Sequence, residues 1–472
     1  MDAQISDTAD LQALERRAAE HLRQNHPIDS ASFIPTPVQR ALAILSVAAL
    51  LLGLTAWPAE TAELMRTLGI LAFLSLSLFR LLCAALARPL VPVDRPEFHA
   101  PRDWPVYSII APLYKEGPVA IDLIDRLKRI DYPDDKLDLL IMLEADDADT
   151  LDALHSTDLP AWARIVVLPA GKPKTKPKAC TAALALARGQ YITIYDAEDA
   201  PHPHQLKAAV LAFEAGDKRL ACLQAPLDID NTGDGWLSRQ FALEYGVQFR
   251  LIIPALSRLG LPIALGGTSN HFRTDVLRDL GGWDPYNLTE DADLGFRLAA
   301  HTYKVQALPY PTYEEAPRHL PVWVNQRSSW IKGFMQTWGV RMRSWHTLMT
   351  GAGLWGFLVL HLTIGASIVS AFVHGPLLLA VGLDVITGLQ TGHWHLRPID
   401  GLVLFAAYAT WLLSAALASR QLGVKNLAFS ALTTPFYWPL QTLAAIKAGF
   451  ELVTKPFHWS KTPHGLAMTR SF

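Results

Sequence analysis

The sequence predicts an α/β domain, with a largely parallel sheet covered by helices, set between two groups of transmembrane helices. Three observations predict it. Half of the 472 residues are hydrophobic and only 18% are charged, and mean hydropathy is positive. Uncharged runs long enough to cross a bilayer sit on both sides of a polar centre. That centre alternates short β-rich runs with helical ones. A chain this long exceeds one ordinary domain.

Taken in order, residues 1–37 are polar and read as a cytoplasmic segment. Residues 38–88 hold two predicted spans. The first, 41–57, has no charge over about 17 residues, near the minimum for a helix that crosses; the second, 67–87, is interrupted by Arg80. A polar lead of about forty residues is too long for the basic part of a cleaved signal. Arg16, Arg17, Arg23 and Arg40 precede the first span, whereas the loop 58–66 carries Glu60, Glu63 and Arg66. The positive-inside bias then puts the N-terminus and the centre in the cytoplasm of a multi-pass inner-membrane protein. Beyond the centre, 344–383 is uncharged for about twice the length of one span. His374-Gly375-Pro376 predicts a turn that divides it, and 401–419 and 426–446 follow as further spans. That makes about four helices in 347–447, with a cytoplasmic tail at 448–472. Arg420 and Lys425 would then face outward, against the same bias.

Two classes fall away. The three cysteines (Cys83, Cys180, Cys222) are far apart, which fits a reducing compartment and no zinc site. A net charge of −2 gives no footprint for nucleic acid.

In the centre, 89–346, strands are predicted at 106–113, 138–147, 164–171 and 190–199, with helices between them. Ligands bind beyond the carboxyl ends of such strands, and two strands deliver acids there: Glu144, Asp146 and Asp147 from one, Asp196, Glu198 and Asp199 from the other. The basic run "GKPKTKPK" lies between them. Carboxylates for a divalent metal beside lysines suit a nucleoside diphosphate. There is no GxxxxGK[ST] loop, and the glycines lack dinucleotide-fingerprint spacing. Further on, "NLTEDADLGFRLA" (287–299) places Thr289 as a helix N-cap, with Glu290, Asp291 and Asp293 in the first turn.

The ordered set "DD" (146–147), "DAED" (196–199), "TED" (289–291) and "QRSSW" (326–330), flanked by apolar helices, resembles the family 2 processive glycosyltransferases, which include cellulose, curdlan, chitin and hyaluronan synthases. The phrases "ALGGTSNHFR" (264–273), "LGGWDPYNLTEDADLGFRL" (280–298) and "WIKGFMQTW" (330–338) resemble a bacterial β-glucan-synthase-like branch. The resemblance implies a GT-A-type, Rossmann-like cytoplasmic domain and inverting transfer from a UDP-sugar, UDP-glucose by preference, to a growing β-linked glycan. Export of that glycan through the chain's own helices is also implied, with any export partner unidentified. It further implies Mg²⁺ or Mn²⁺ at Asp196, Glu198 and Asp199, a catalytic base at Asp291 with Glu290 beside it, and donor contacts from Glu144, Asp146, Asp147 and Lys178. Gln326, Trp330, Trp283 and His271 are the implied acceptor contacts. The motif arginine is replaced by Ser329, so Arg327 or Lys332 is expected to supply the diphosphate's positive partner. "FHWSKTPHG" (457–465) resembles a segment that folds over the donor, with Lys461 and Thr462 reaching it. Single transfer to a lipid or polyprenyl phosphate, or a degenerate scaffold, are the other readings.

Overall fold

The computed structural model describes residues 8–459 and Gly465. Ten strands form two sheets: β1 (Tyr107–Pro112), β2 (Leu137–Glu144), β3 (Ala163–Leu168), β4 (Tyr191–Ile194), β5 (Ala200–Pro201), β6 (Leu220–Gln224), β7 (Leu227–Ile229), β8 (Asn270–Arg273), β9 (Lys304–Ala307) and β10 (Thr312–Glu314). The main sheet runs β3-β2-β1-β4-β8-β6-β9, and a small sheet runs β5-β10-β7. β1 to β4 are parallel, as the strand–helix alternation predicts; β8 is antiparallel to both its neighbours, β4 and β6. β2 is buried along its whole length, as a strand covered on both faces must be. The fold is a mixed α/β, Rossmann-like domain, flanked by helices long and apolar enough to span a membrane.

Eleven helices frame the sheet edge and its membrane support: α1 (Thr8–Asn25), α2 (Pro37–Ala56), α3 (Pro58–Leu86), α4 (Lys176–Leu186), α5 (Trp236–Val247), α6 (Glu290–Ala300), α7 (Leu320–Arg343), α8 (Trp345–Leu360), α9 (Ala366–Thr391), α10 (Pro398–Leu422) and α11 (Thr434–Thr454). Thr36 opens α2 with a capping box to Gln39, and Pro37 supplies the first helical residue. No residue of α2 is buried, which for a helix this apolar is a lipid-facing surface.

Among the described residues, four helical segments are long and apolar enough to cross a membrane: Pro37–Ala56, Pro58–Leu86, Trp345–Thr391 and Pro398–Leu422. Six were expected, and both discrepancies have a physical reason. His374-Gly375-Pro376 does not turn the chain. The helix continues through Pro376 because Thr442 of α11 inserts its hydroxyl, accepting from the Gly375 N–H (2.9 Å) and donating to the Ala371 carbonyl (2.7 Å). A neighbouring helix thus satisfies the backbone groups that a proline disturbs. Gly375 is required there, since a Cβ would meet the Thr442 hydroxyl at 2.8 Å. The real interruption is at Gly353, at φ +68°.

The last expected span, 426–446, instead starts later, as α11, and lies along α7. Its Tyr437 hydroxyl bonds Glu244 (2.8 Å) and accepts from Trp323 Nε1 (3.1 Å), while its Glu451 pairs with Lys332 (3.0 Å). Arg420 and Lys425 therefore sit on the side of the soluble domain, where Leu422 packs on Gly246 and Ser430 accepts from Arg239 (2.7 Å). The conflict with the positive-inside bias disappears because one crossing fewer precedes them. Cysteine labelling can test this topology, because the native cysteines are all buried. His393→Cys, in the loop between α9 and α10, should react with an impermeant maleimide on intact cells, and Lys425→Cys only after permeabilisation. Equal labelling of both would contradict this arrangement.

Candidate active site

A cavity of about 450 Å³ opens at the carboxyl ends of the strands. Asp196 and Glu198 reach it from the turn after β4, Glu290 and Asp291 from the start of α6, Glu314 from β10, and Lys176 from the first residue of α4. Gln326, Arg327 and Trp330 line it from α7, and from there it continues between the apolar helices to Phe79, Arg80, His374 and Trp411.

The approach of α7 fixes the "TED" turn. Gln336 Oε1 accepts from Leu288 N (3.1 Å), Thr337 shares hydrogen bonds with Asn287 (3.0 Å) and Thr289 (3.2 Å), and Gly333 lies so close that a Cβ would sit 2.7 Å from Thr289 N. Thr289 stands at the N-cap position without a side-chain cap, because its hydroxyl is engaged with Thr337. Of the four acids in this region, Asp284 and Asp293 point away. Asp293 is buried against Arg341 (3.1 Å), which also meets Asp29 (2.9 Å), so it is a structural ion pair.

Burial raises both remaining carboxyls. Glu290 is pushed up to about 8, first by burial and then by Asp291; Asp291 is pushed up to about 6 by burial, against the stabilising Ala292 N–H and Lys176. Shared burial and mutual repulsion favour one proton on the pair, which leaves one carboxylate beside one carboxyl donor. Lys176 donates to Asp196 (2.6 Å) and to the Gly267 carbonyl (2.7 Å). Burial alone would lower its pKa, but Asp196 and Glu290 outweigh it and hold the ammonium above its usual value.

The acid turn after β4 divides by role. Asp196 and Glu198 line the cavity, whereas Asp199 is fully buried, accepting from Asp196 N (2.7 Å) and from the Thr268 hydroxyl. Asp199 braces the turn, and Arg126 holds the same turn from behind through the Glu198 carbonyl (2.7 Å). No group of three metal-ligating side chains gathers among the described residues. Mg²⁺ needs only one or two carboxylates plus diphosphate oxygens and water, and Asp196 and Glu198 meet that need. Glu314 reports the surplus charge: burial, then Asp199, Glu198 and Asp196, drive its carboxyl well above the usual range, and a divalent cation would relieve that field.

Other expected contacts lie elsewhere. Lys178 is completely buried between Glu144 (3.1 Å) and Glu15 of α1 (3.3 Å), so both Lys178 and Glu144 staple the N-terminal helix to β2. His271 is buried on β8, 2.7 Å from the Tyr107 hydroxyl and 3.1 Å from Gln205 Oε1, and burial lowers it to about 3. Trp283 is a core residue set edge-on to Phe272. Asp147 caps the following helix through Thr150 N, and Asp146 is exposed, bonded to Lys174 (2.6 Å) and Tyr114 (3.2 Å).

Arg327 does not face a diphosphate. Its guanidinium pairs with Glu244 (2.5 Å) and sits over the Trp330 ring (4.8 Å) and Phe241 (4.6 Å). Lys332 is buried and donates to the carbonyls of Lys455 (3.3 Å) and His458 (2.8 Å), pinning the tail across α7. The lysine on the cavity wall is Lys176, and the sequence singles out neither it nor Glu314. The basic run and the acid pair at 314–315 were the available signals. Lys461 and Thr462 lie outside the described residues. Trp459 lines the cavity and Gly465 N donates to Glu315 (3.0 Å), so the tail's described positions lie at the site.

Asp291→Asn should lower transfer by roughly 10²–10⁴-fold while preserving nucleotide affinity. In the native chain, turnover should fall as pH drops through about 6, where Asp291 takes up its proton; a flat profile from pH 5 to 8 would remove it as the base.

Residues 191–386 match the family described as Glycosyl transferase family group 2. Probable glycosyltransferase YdaM of Bacillus subtilis is 24% identical over 49% of this chain and 56% of that protein. Beta-monoglucosyldiacylglycerol synthase of Synechocystis sp. is 26% identical over 77% of this chain and 76% of that protein. Among solved structures, the mannosyltransferase PcManGT of Pyrobaculum calidifontis in complex with GDP-Man and Mn²⁺ is similar at a TM-score of 0.48 and 18% identity, covering 75% of this chain and 97% of that one. The match to YdaM thus spans little more than half that protein's length. Residues 191–386, which run from β4 into the third apolar segment, are thus similar to a group 2 glycosyl transferase domain.

Proposed function

We propose that the chain is a membrane-embedded, inverting hexosyltransferase that moves a hexose from a UDP-sugar, with glucose favoured by the family resemblance, to the hydroxyl of a membrane-borne lipid acceptor. One observation carries this reading: a single cavity joins the carboxylates of the domain to the side chains of the apolar helices. An acceptor whose tail lies in the bilayer reaches Asp291 along that path without leaving the membrane. The Synechocystis relative, by its name, makes a glucosylated diacylglycerol, and its match extends over most of both chains.

In this mechanism the diphosphate lies against Lys176, at the N-terminus of α4, where ammonium and helix dipole both favour an anion. Asp196 and Glu198 would hold a divalent cation, which would supply Lewis-acid stabilisation to the diphosphate. Tyr114, Asp146 and Lys174 offer a ring and polar groups to the nucleoside. Asp291 takes the acceptor's proton as that oxygen bonds the anomeric carbon and UDP leaves from the opposite face. Gln326, whose buried side-chain oxygen has no hydrogen-bond partner, and Trp330 orient the acceptor.

Elongation and export of a β-linked polysaccharide is the second reading. It is favoured by the rings of Trp330, Trp411 and Trp438 on the cavity wall, which suit stacking on sugars. Incubating membranes with labelled UDP-glucose separates the two: label extracted into organic solvent supports the lipid acceptor, and insoluble label supports the polymer. Excess chelator should abolish transfer and Mn²⁺ or Mg²⁺ should restore it; full turnover in chelator would rule out the cation at Asp196 and Glu198.

A further inference from the structure

Arg80 stands near the domain end of α3, within its otherwise uncharged stretch 67–86. A guanidinium at that depth is unfavourable unless a partner compensates it, and such residues mark sites where charge is recognised. Arg80 lies on the wall of the cavity, with its carbon centre 5.4 Å from the Trp411 ring centroid. Among the described residues no carboxylate comes within ion-pair distance of it. Glu244, the acid that shares this part of the wall, is already engaged: it accepts from Arg327 (2.5 Å), from the Tyr437 hydroxyl (2.8 Å) and from Gln441 Nε2 (3.1 Å).

On α9, His374 has its ring 4.8 Å from Trp438 and its Nδ1 2.6 Å from the Ser370 carbonyl and 2.9 Å from the Ser370 hydroxyl. Both His374 and Ser370 line the same cavity. These two polar side chains thus share the cavity with a cation that has no ion-pair partner among the described residues, within apolar walls that continue toward Leu76 and Phe79. A neutral sugar or diacylglycerol would leave that charge unmatched. A phosphate on an apolar tail would match both the cation and the walls.

We propose that Arg80, with Trp411, His374 and Ser370, forms a subsite at the membrane end of the cavity that takes the phosphate of a lipid. This rests on the lipid-acceptor reading above and names the charge that the site selects. The phosphate belongs either to the acceptor itself or to a phospholipid seated beside an uncharged acceptor.

The test compares two probes that differ only in the phosphate, dioctanoyl phosphatidic acid and dioctanoylglycerol, bound to the full chain in detergent. The native chain should prefer the phosphate lipid. Arg80→Gln should weaken phosphatidic acid by about ten- to a hundredfold, leaving dioctanoylglycerol and UDP binding unchanged. Arg80→Lys, which keeps the charge, should retain the preference. Unaltered phosphatidic acid binding in Arg80→Gln, or equal weakening of both lipids, would overturn the subsite. With labelled UDP-glucose, label on the phosphate lipid identifies it as the acceptor; label on dioctanoylglycerol, faster when phosphate lipid is present, identifies a seated companion. Either result supports the site. The binding measurement needs no turnover, so a chain that polymerises sugar would fail the lipid-transfer assay while still reporting on Arg80.

Discussion

Everything at the carboxyl edge of the main sheet depends on holding many carboxylates together out of water, against one ammonium. Asp196, Glu198, Glu290, Asp291 and Glu314 all line one cavity with Lys176 among them. Desolvation of an unpaired charge in such a place costs several kcal/mol, so some of these groups stay protonated and the remainder need a cation. That single constraint sets Asp291 apart from Glu290, drives Glu314 upward and keeps Lys176 charged. The region is built to be completed by a charged ligand, and a nucleoside diphosphate with its metal brings both signs of charge at once.

Helix α7 converts this electrostatic arrangement into a fixed geometry. One of its faces grips the turn before Asp291 through Gly333, Gln336 and Thr337, and another presents Gln326 and Trp330 to the cavity. Lys332 and Gln336 hold the backbone of residues 455, 456 and 458. The turn that carries Asp291, the cavity wall at Gln326 and Trp330, and the tail therefore share one support, which is how side chains around a cavity are kept within narrow geometric limits. Ser329 is buried and bonds back to the Asn325 carbonyl, so it is part of the helix's packing, while Lys176 of α4 brings an ammonium to the cavity.

The apolar helices are tied to the domain by polar contacts at its surface. Arg239, Gln240 and Trp236 of α5 bond Ser430 and Thr433, and Glu244 gathers Arg327, Tyr437 and Gln441. These contacts keep the cavity continuous from the sheet edge to the membrane helices.

The sequence by itself determined the class of fold, because hydropathy and strand–helix alternation are local properties: β1 to β4 fall where the runs at 106–113, 138–147, 164–171 and 190–199 place them. It also gathered the cavity acids Asp196, Glu198, Glu290 and Asp291, since each follows a strand or opens a helix. Tertiary structure alone decided which charges face solvent and which face one another. Lys178 and Lys176 are two residues apart in one basic run, yet one is buried by Glu15, 163 residues away in sequence, and the other opens into the cavity. His271 and Trp283 are polar or aromatic residues in the right phrases, and only packing shows them to be core. The passage of α9 through Pro376 was likewise illegible, because the hydroxyl that permits it comes from Thr442 on another helix. Local pattern fixes what a residue is able to do; the partners that long-range folding brings to it fix what it does.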